Sequence, residues 1–90
     1  MNEFEWHNEK AASNLKKHGV SFGEAATVFD DPFAVYFEDY KKLYSEERLI
    51  VRGFSNTNRL LIVSFTIKAE KVRIISSRVA TKNERKQHEE

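Results

Sequence analysis

The chain has no cysteine, one proline and three glycines among its 90 residues. Without thiols, neither a disulfide framework nor a thiolate zinc site is open to it. Its histidines, His7, His18 and His88, are scattered, with no local spacing of metal ligands. No apolar run approaches the roughly 20 residues that a membrane-spanning helix needs. No signal peptide opens the sequence, so cytoplasm is the expected compartment. Repeats, low-complexity segments and linkers are missing too, and one domain over residues 1–90 is expected. What remains is ordinary globular composition, 40% hydrophobic and 32% charged. That is enough for one modest core.

The net charge of +1 conceals an uneven distribution. Residues 24–47 carry seven acids against two bases, whereas residues 48–67 carry three arginines and no acid. Residues 68–90 add seven bases against four acids. An acidic middle beside a basic C-terminal half fits a nucleic-acid surface next to a partner surface. It fits solvated faces of both signs equally well.

Phe4-Glu5-Trp6 alternates apolar and polar, which predicts a very short edge strand or a simple anchor, with Trp6 plugging the core. A helix is expected from His7 or Asn8 to about Lys17. Ala11, Ala12, Leu15 and His18 recur at its period and predict one narrow buried stripe. Lys10, Asn14 and Lys17 line an adjacent stripe, read as a solvated face or a functional one. Gly19 stops the helix. Ser21 with Glu24 has the spacing of a capping box and starts a second helix, Phe22 to about Phe29. Asp30-Asp31-Pro32 ends it, because proline disfavours helical geometry in the residue before it.

The period then changes to two. Phe33, Val35 and Phe37 alternate with Ala34, Tyr36 and Glu38 in a first full strand. Asp39 to Glu47 is the longest irregular stretch and a candidate contact loop. Arg48 to Phe54 reads as a second strand, Ser55 to Asn58 as a hairpin turn, and Arg59 to Lys68 as a third strand. Leu61, Val63, Phe65 and Ile67 make one face of that third strand wholly apolar. On its other face Leu60 and Ile62 give way to Ser64 and Thr66, so one face packs on helices and the other is partly open. Ala69-Glu70 turns into a fourth strand, Val72 to about Arg78. Thr81 with Glu84 announces a C-terminal helix. The expected architecture is α+β: two N-terminal helices on a four-stranded antiparallel sheet, with an optional N-terminal edge strand, plus that last helix.

Arg73 and Arg78 punctuate a strand otherwise apolar enough to be central. Burying guanidinium groups is costly unless something accepts their hydrogen bonds. The acceptor is either a carboxylate of the fold or a phosphate brought from outside.

At this point the chain resembles the BrnT toxins of type II toxin–antitoxin modules. Phe4-Glu5-Trp6, Lys10, Asn14 and Lys17-His18-Gly19-Val20-Ser21-Phe22 resemble the N-terminal signature of that family, continued by Glu24-Ala25-Ala26 and Phe29-Asp30-Asp31-Pro32. Glu47-Arg48, Arg73-Ile74-Ile75-Ser76, Arg78, Ala80 and Glu84-Arg85 resemble its C-terminal signature. The chain departs from the pattern at His7, Ser77 and His88, where an acid, an alanine and a tyrosine are usual. The resemblance implies a RelE-like fold and an endoribonuclease that inhibits translation and growth. It also implies neutralisation by a BrnA antitoxin with a ribbon-helix-helix domain, two toxins with two antitoxins, reaching operator DNA only through the antitoxin. A non-catalytic module binding nucleic acid or protein is the alternative.

RNA can be cut without a metal or cofactor when its own 2′-hydroxyl attacks the adjacent phosphorus. A base takes the proton, cations stabilise the transition state, and an acid protonates the leaving 5′ oxygen. Arginine suits the middle role because its planar fork binds two phosphate oxygens and stays charged. Arg73 and Arg78 are the first catalytic candidates, with Lys10 as an electrostatic clamp. His18 is the acid–base candidate because its pKa lies naturally near neutrality, although a core or helix-cap role also fits it. Lys17, Arg48, Arg85 and His88 are candidate RNA contacts, and Glu84 reads as a cap before a catalyst. An acidic antitoxin segment would be drawn to the bases from Arg48 onward and compete with phosphate. In a co-purified complex, hydrogen exchange is therefore expected to slow over residues 72–78. Protection confined to residues 24–47 would mean inhibition from a distance.

Overall fold

The computed structural model describes residues 3–39 and 47–89. In chain order these form β1 (Phe4–Glu5), α1 (Asn8–His18), α2 (Phe22–Thr27), a 3₁₀ turn (Val28–Asp30), β2 (Val35–Glu38), β3 (Leu49–Phe54), β4 (Leu60–Lys68), β5 (Lys71–Val79) and α3 (Lys82–Glu89). The sheet has five strands in the order β1-β5-β4-β3-β2. β2 to β5 make the expected antiparallel meander. The short N-terminal segment is a true strand, and it pairs parallel to β5, so the sheet is mixed rather than purely antiparallel. Most of the Asp39–Glu47 stretch lies outside the described residues.

Local signals place most element ends. Gly19 adopts φ 69° and donates its N–H to the Leu15 carbonyl, closing α1 in the left-handed geometry glycine tolerates. Ser21 accepts from the Glu24 N–H at 3.0 Å and opens α2. The helix tightens into the 3₁₀ turn at Val28, two residues earlier than the apolar period suggests. Glu24 does not complete the capping box. Its carboxylate takes the Arg59 guanidinium, at 2.9 Å from Nε, and the Ser55 and Thr57 hydroxyls at 2.7 and 2.6 Å. That cluster fastens the β3–β4 hairpin to α2.

Strand alternation sorts the two faces. Val51, Leu61, Val63, Phe65, Val72 and Ile74 pack with Val20, Phe22, Ala25 and Val28 into one buried core between the sheet and the first two helices. Phe4, Phe29 and Phe65 extend it as edge-on ring pairs 5.2 and 4.9 Å apart, and half-buried Trp6 meets Phe22 edge-on. Gly53 is required by closeness: a β-carbon there would lie 3.0 Å from Val28, Asp31 and Ala34. The Asp31 carboxylate beside it accepts the Phe54 N–H at 2.8 Å.

α1 docks differently from expectation. Leu15 is 51% exposed, and Ala12 and His18 also face solvent. The buried residue is Asn14, from the stripe read as polar. β1 covers only Val72 and Arg73 of β5, so the outer edge of β5 is bare of strand further on. There the Asn14 amide acts as a missing strand residue. Its Oδ1 accepts the Ser77 N–H at 3.1 Å, and its Nδ2 donates to the Ser77 carbonyl at 2.8 Å. A second donation, 3.0 Å to the Val20 carbonyl, holds the chain leaving α1. An aliphatic side chain at this position would leave all three backbone groups buried and unpaired. Asn14→Ala is therefore expected to destabilise the protein by about 3 kcal/mol, since each orphaned buried polar group costs roughly 1–3 kcal/mol. Chemical denaturation checks it, and a loss below that range would mean water replaces the amide.

Candidate active site

The sheet face opposite α1 and α2 carries the remaining chemistry. Cross-strand register builds it in rows: Phe37, Ile50, Ser64 and Ser76 in one, and Val35, Arg52, Ile62 and Arg78 in the next. A register shift between Ser64 and Phe65 lets β5 accommodate Ile75 and keeps Ser76 and Arg78 on this face while Ser77 turns inward. Between the rows lies a cleft of about 200 Å³, lined by Asp39, Arg48, Ile50, Ile62, Ser64, Ser76 and Arg78. The Ser64 hydroxyl oxygen is buried there and makes no hydrogen bond to another protein group. Two arginines, two serines and one aspartate thus line a cleft with Ile50 and Ile62 among them. Such a set can bind a tetrahedral oxyanion and move one proton.

α3 closes one end of this face. None of its residues is buried, so polar contacts define its seat. Glu84 takes both terminal nitrogens of Arg78 at 2.7 and 3.0 Å. The same carboxylate accepts the Thr81 N–H at 2.8 Å, while the Thr81 hydroxyl accepts from the Glu84 N–H at 3.2 Å. This capping box is complete, and it doubles as the arginine's anchor. At the far end of the helix, His88 Nδ1 accepts from Arg52 Nε at 3.1 Å, and the His88 ring lies edge-on to Phe54.

The residues singled out in the sequence fall into four places. Arg78 and Arg48 line the cleft. Arg73 is on the same face beside Thr66, where Glu5 takes its guanidinium at 2.6–2.7 Å and ties β1 down. For both Arg73 and Arg78, the acceptor in the folded chain is thus a carboxylate of the fold. His88 and Arg85 belong to α3, the latter exposed. Lys10, Lys17 and His18 sit at exposed positions of α1, which docks on the β5 edge, and they do not line the cleft. Asp39 and Ser76 line the cleft as well; in the sequence Asp39 opens the candidate contact loop and Ser76 belongs to the C-terminal signature, and neither is given a role there.

Membership is clear. The family model described as the ribonuclease toxin BrnT of type II toxin–antitoxin systems matches residues 6–84, and the chain belongs to that family. A 1.1 Å crystal structure of the Brucella abortus ribonuclease toxin, BrnT, has a similar fold, with a TM-score of 0.69 at 24% identity. The match covers 91% of this chain and 100% of that one. No curated protein matches the chain by sequence. The family is one of ribonuclease toxins with a protein antitoxin partner, and the α+β class agrees with that fold. No helix among the described residues is long and apolar enough to cross a membrane.

The Arg59 guanidinium holds the Glu24 carboxyl down at about 2, and Arg78 does the same for Glu84, against an ordinary 4.5. Carboxylates depressed on folding stabilise the native state fully above their unfolded value and lose that contribution as pH falls toward 2. Glu24→Gln is expected to cost about 2 kcal/mol at pH 7, the scale of a hydrogen-bonded charge pair. Its melting temperature should converge with that of the wild type on acidification from pH 5 to pH 2. A gap that stays constant over this range would show that the charge is not what matters.

Proposed function

We propose that this chain is a metal-independent endoribonuclease that seats the scissile phosphate between Arg48 and Arg78. The cleft carries this reading: Arg48, Arg78, Ser64 and Ser76 line one oxyanion-sized space. In this scheme the cationic role falls to arginine, whose planar fork binds two phosphate oxygens and stays charged. In the reaction, the RNA 2′-oxygen bonds to phosphorus as its proton passes to Asp39, the carboxylate in the cleft. The bond to the 5′ oxygen breaks, leaving a cyclic phosphate and a 5′-hydroxyl that gains a proton from water. Arg48 and Arg78 neutralise the charge that builds on the phosphoryl oxygens. Glu84 engages the terminal nitrogens of Arg78, so the incoming phosphate takes the Nε side or displaces it.

Arg73 contributes from further along the face, through the Glu5 pair that holds β1 in place. Lys10, Lys17 and His18 form a separate basic edge on α1, and RNA must cross the β5 edge to meet them and the cleft together. Their part is therefore docking of the strand in this scheme, with Arg85 and His88 serving from α3. Neutralisation by a BrnA-like ribbon-helix-helix antitoxin, two toxins with two antitoxins, fits the same surface. An acidic segment laid over Arg48 and Arg78 excludes phosphate by charge and by bulk, and operator DNA is reached through the antitoxin alone.

Purified antitoxin-free protein is expected to cleave single-stranded RNA in EDTA. Arg78→Ala should slow cleavage roughly 10²- to 10³-fold, the usual loss for one transition-state donor, while the protein still melts cooperatively at a temperature lowered by loss of the Glu84 pair. Arg73→Ala should lower the melting temperature through loss of the Glu5 pair and leave the cleavage rate of the folded protein nearly unchanged. His18→Ala separates docking from chemistry: an effect confined to KM keeps α1 outside the reaction centre. Intact RNA at high protein excess, or an Arg78→Ala variant as fast as wild type, would overturn the assignment.

A further inference from the structure

We propose that the exposed face of β2 is a stacking platform for an unpaired RNA base, with Phe37 as its ring and Val35 as its margin. The proposal rests on the ribonuclease reading and names a subsite for it. Phe37 is 40% exposed and Val35 41%, on an edge strand whose open side has no partner among the described strands. Both side chains stand on the cleft side of the sheet, because Phe37 pairs with Ile50 and Val35 with Arg52.

Phe37 heads the row that runs through Ile50 to Ser64 and Ser76 in the cleft. Neighbouring strands lie roughly 5 Å apart, so the ring is about 10 Å from Ser64, on the same side of the sheet. A strand of RNA whose phosphate enters between Arg48 and Arg78 therefore carries an adjoining base over Phe37. Aromatic rings beside a cationic groove bind single strands in this way, because every base offers a π-face whatever its sequence. Charge selects RNA over an apolar protein segment as the occupant: Arg48, Arg52 and Arg78 lie on the rows beside the ring, against the carboxylates of Asp39 in the cleft and of Glu84 on Arg78. A half-exposed phenylalanine on an edge strand adds little to the core, which lies on the other face.

Binding is read by fluorescence anisotropy with a labelled 2′-O-methyl RNA pentamer, which cannot be cleaved, and cleavage is read separately on ordinary RNA. Phe37→Ala is expected to weaken binding about tenfold, within the range measured for loss of one base–aromatic stack. It should raise KM with kcat little changed, and leave the melting temperature within a few degrees. Phe37→Tyr should restore binding, and Ile67→Ala, which removes an exposed apolar side chain from the opposite face, should change nothing. A Phe37→Ala variant that binds the pentamer like wild type overturns the platform, as does a loss that Phe37→Tyr fails to restore. Unchanged RNA binding with weakened antitoxin binding would assign the surface to the protein partner and overturn it too. Wild-type protein that binds the pentamer through Phe37 yet cuts no RNA would remove the ribonuclease reading while leaving the platform standing.

Discussion

The amide of Asn14 paired with the backbone of Ser77 is the contact on which the arrangement depends. β5 lies between a nine-residue neighbour, β4, and a two-residue one, β1. Beyond Arg73 its outer edge would be open, and an open edge in a partly buried sheet carries unpaired backbone groups. Asn14 supplies one donor and one acceptor at the spacing a strand residue would offer. It therefore does two jobs at once: it seats α1, and it completes the sheet. The bonds fix the Ser77 backbone at the sheet edge; its side chain is buried inward, and strand alternation turns Ser76 and Arg78 to the opposite face, into the cleft.

Arginine–glutamate pairs do the long-range fastening elsewhere. Glu24 with Arg59 ties α2 to the β3–β4 hairpin, Glu5 with Arg73 ties β1 to β5, and Glu84 with Arg78 ties α3 to the open face. Exposed ion pairs usually add less than about 1 kcal/mol, but these are not isolated contacts. Glu24 collects two hydroxyls as well as a guanidinium, and Glu84 collects a helix terminus. Their value is in position more than in stability. The Glu84 pair in particular holds Arg78 in a defined rotamer at the cleft while a helix with nothing buried rests above it.

A 90-residue ribonuclease toxin has little room for separate binding and catalytic layers. Here one sheet divides the labour by face. The inner face gains stability from the apolar core, and the outer face keeps Ser64, Ser76 and Arg78 at the cleft, beside the end that α3 covers. That division accounts for the alternation along β4, where Leu61, Val63 and Phe65 are buried in the core and Ser64 opens onto the cleft.

Sequence alone determined whatever depends on neighbours along the chain. Capping at Ser21 and Thr81, the left-handed stop at Gly19 and the alternation of β4 are local, and the residues that make them are adjacent. The need of Arg73 and Arg78 for an acceptor was equally legible, because a guanidinium carries its charge wherever it goes. Only the tertiary structure decided which acceptors these would be. Glu5 is 68 positions from Arg73, and nothing periodic links them. The burial of Asn14 was hidden for the same reason: an amide looks like a surface residue until a strand edge 63 positions away presents matching groups. The parallel pairing of β1 and the union of Asp39, Arg48 and Ser76 in one cleft likewise come from register between strands. Register is set when the inner face buries its apolar side chains, and that event belongs to the whole chain rather than to any segment of it.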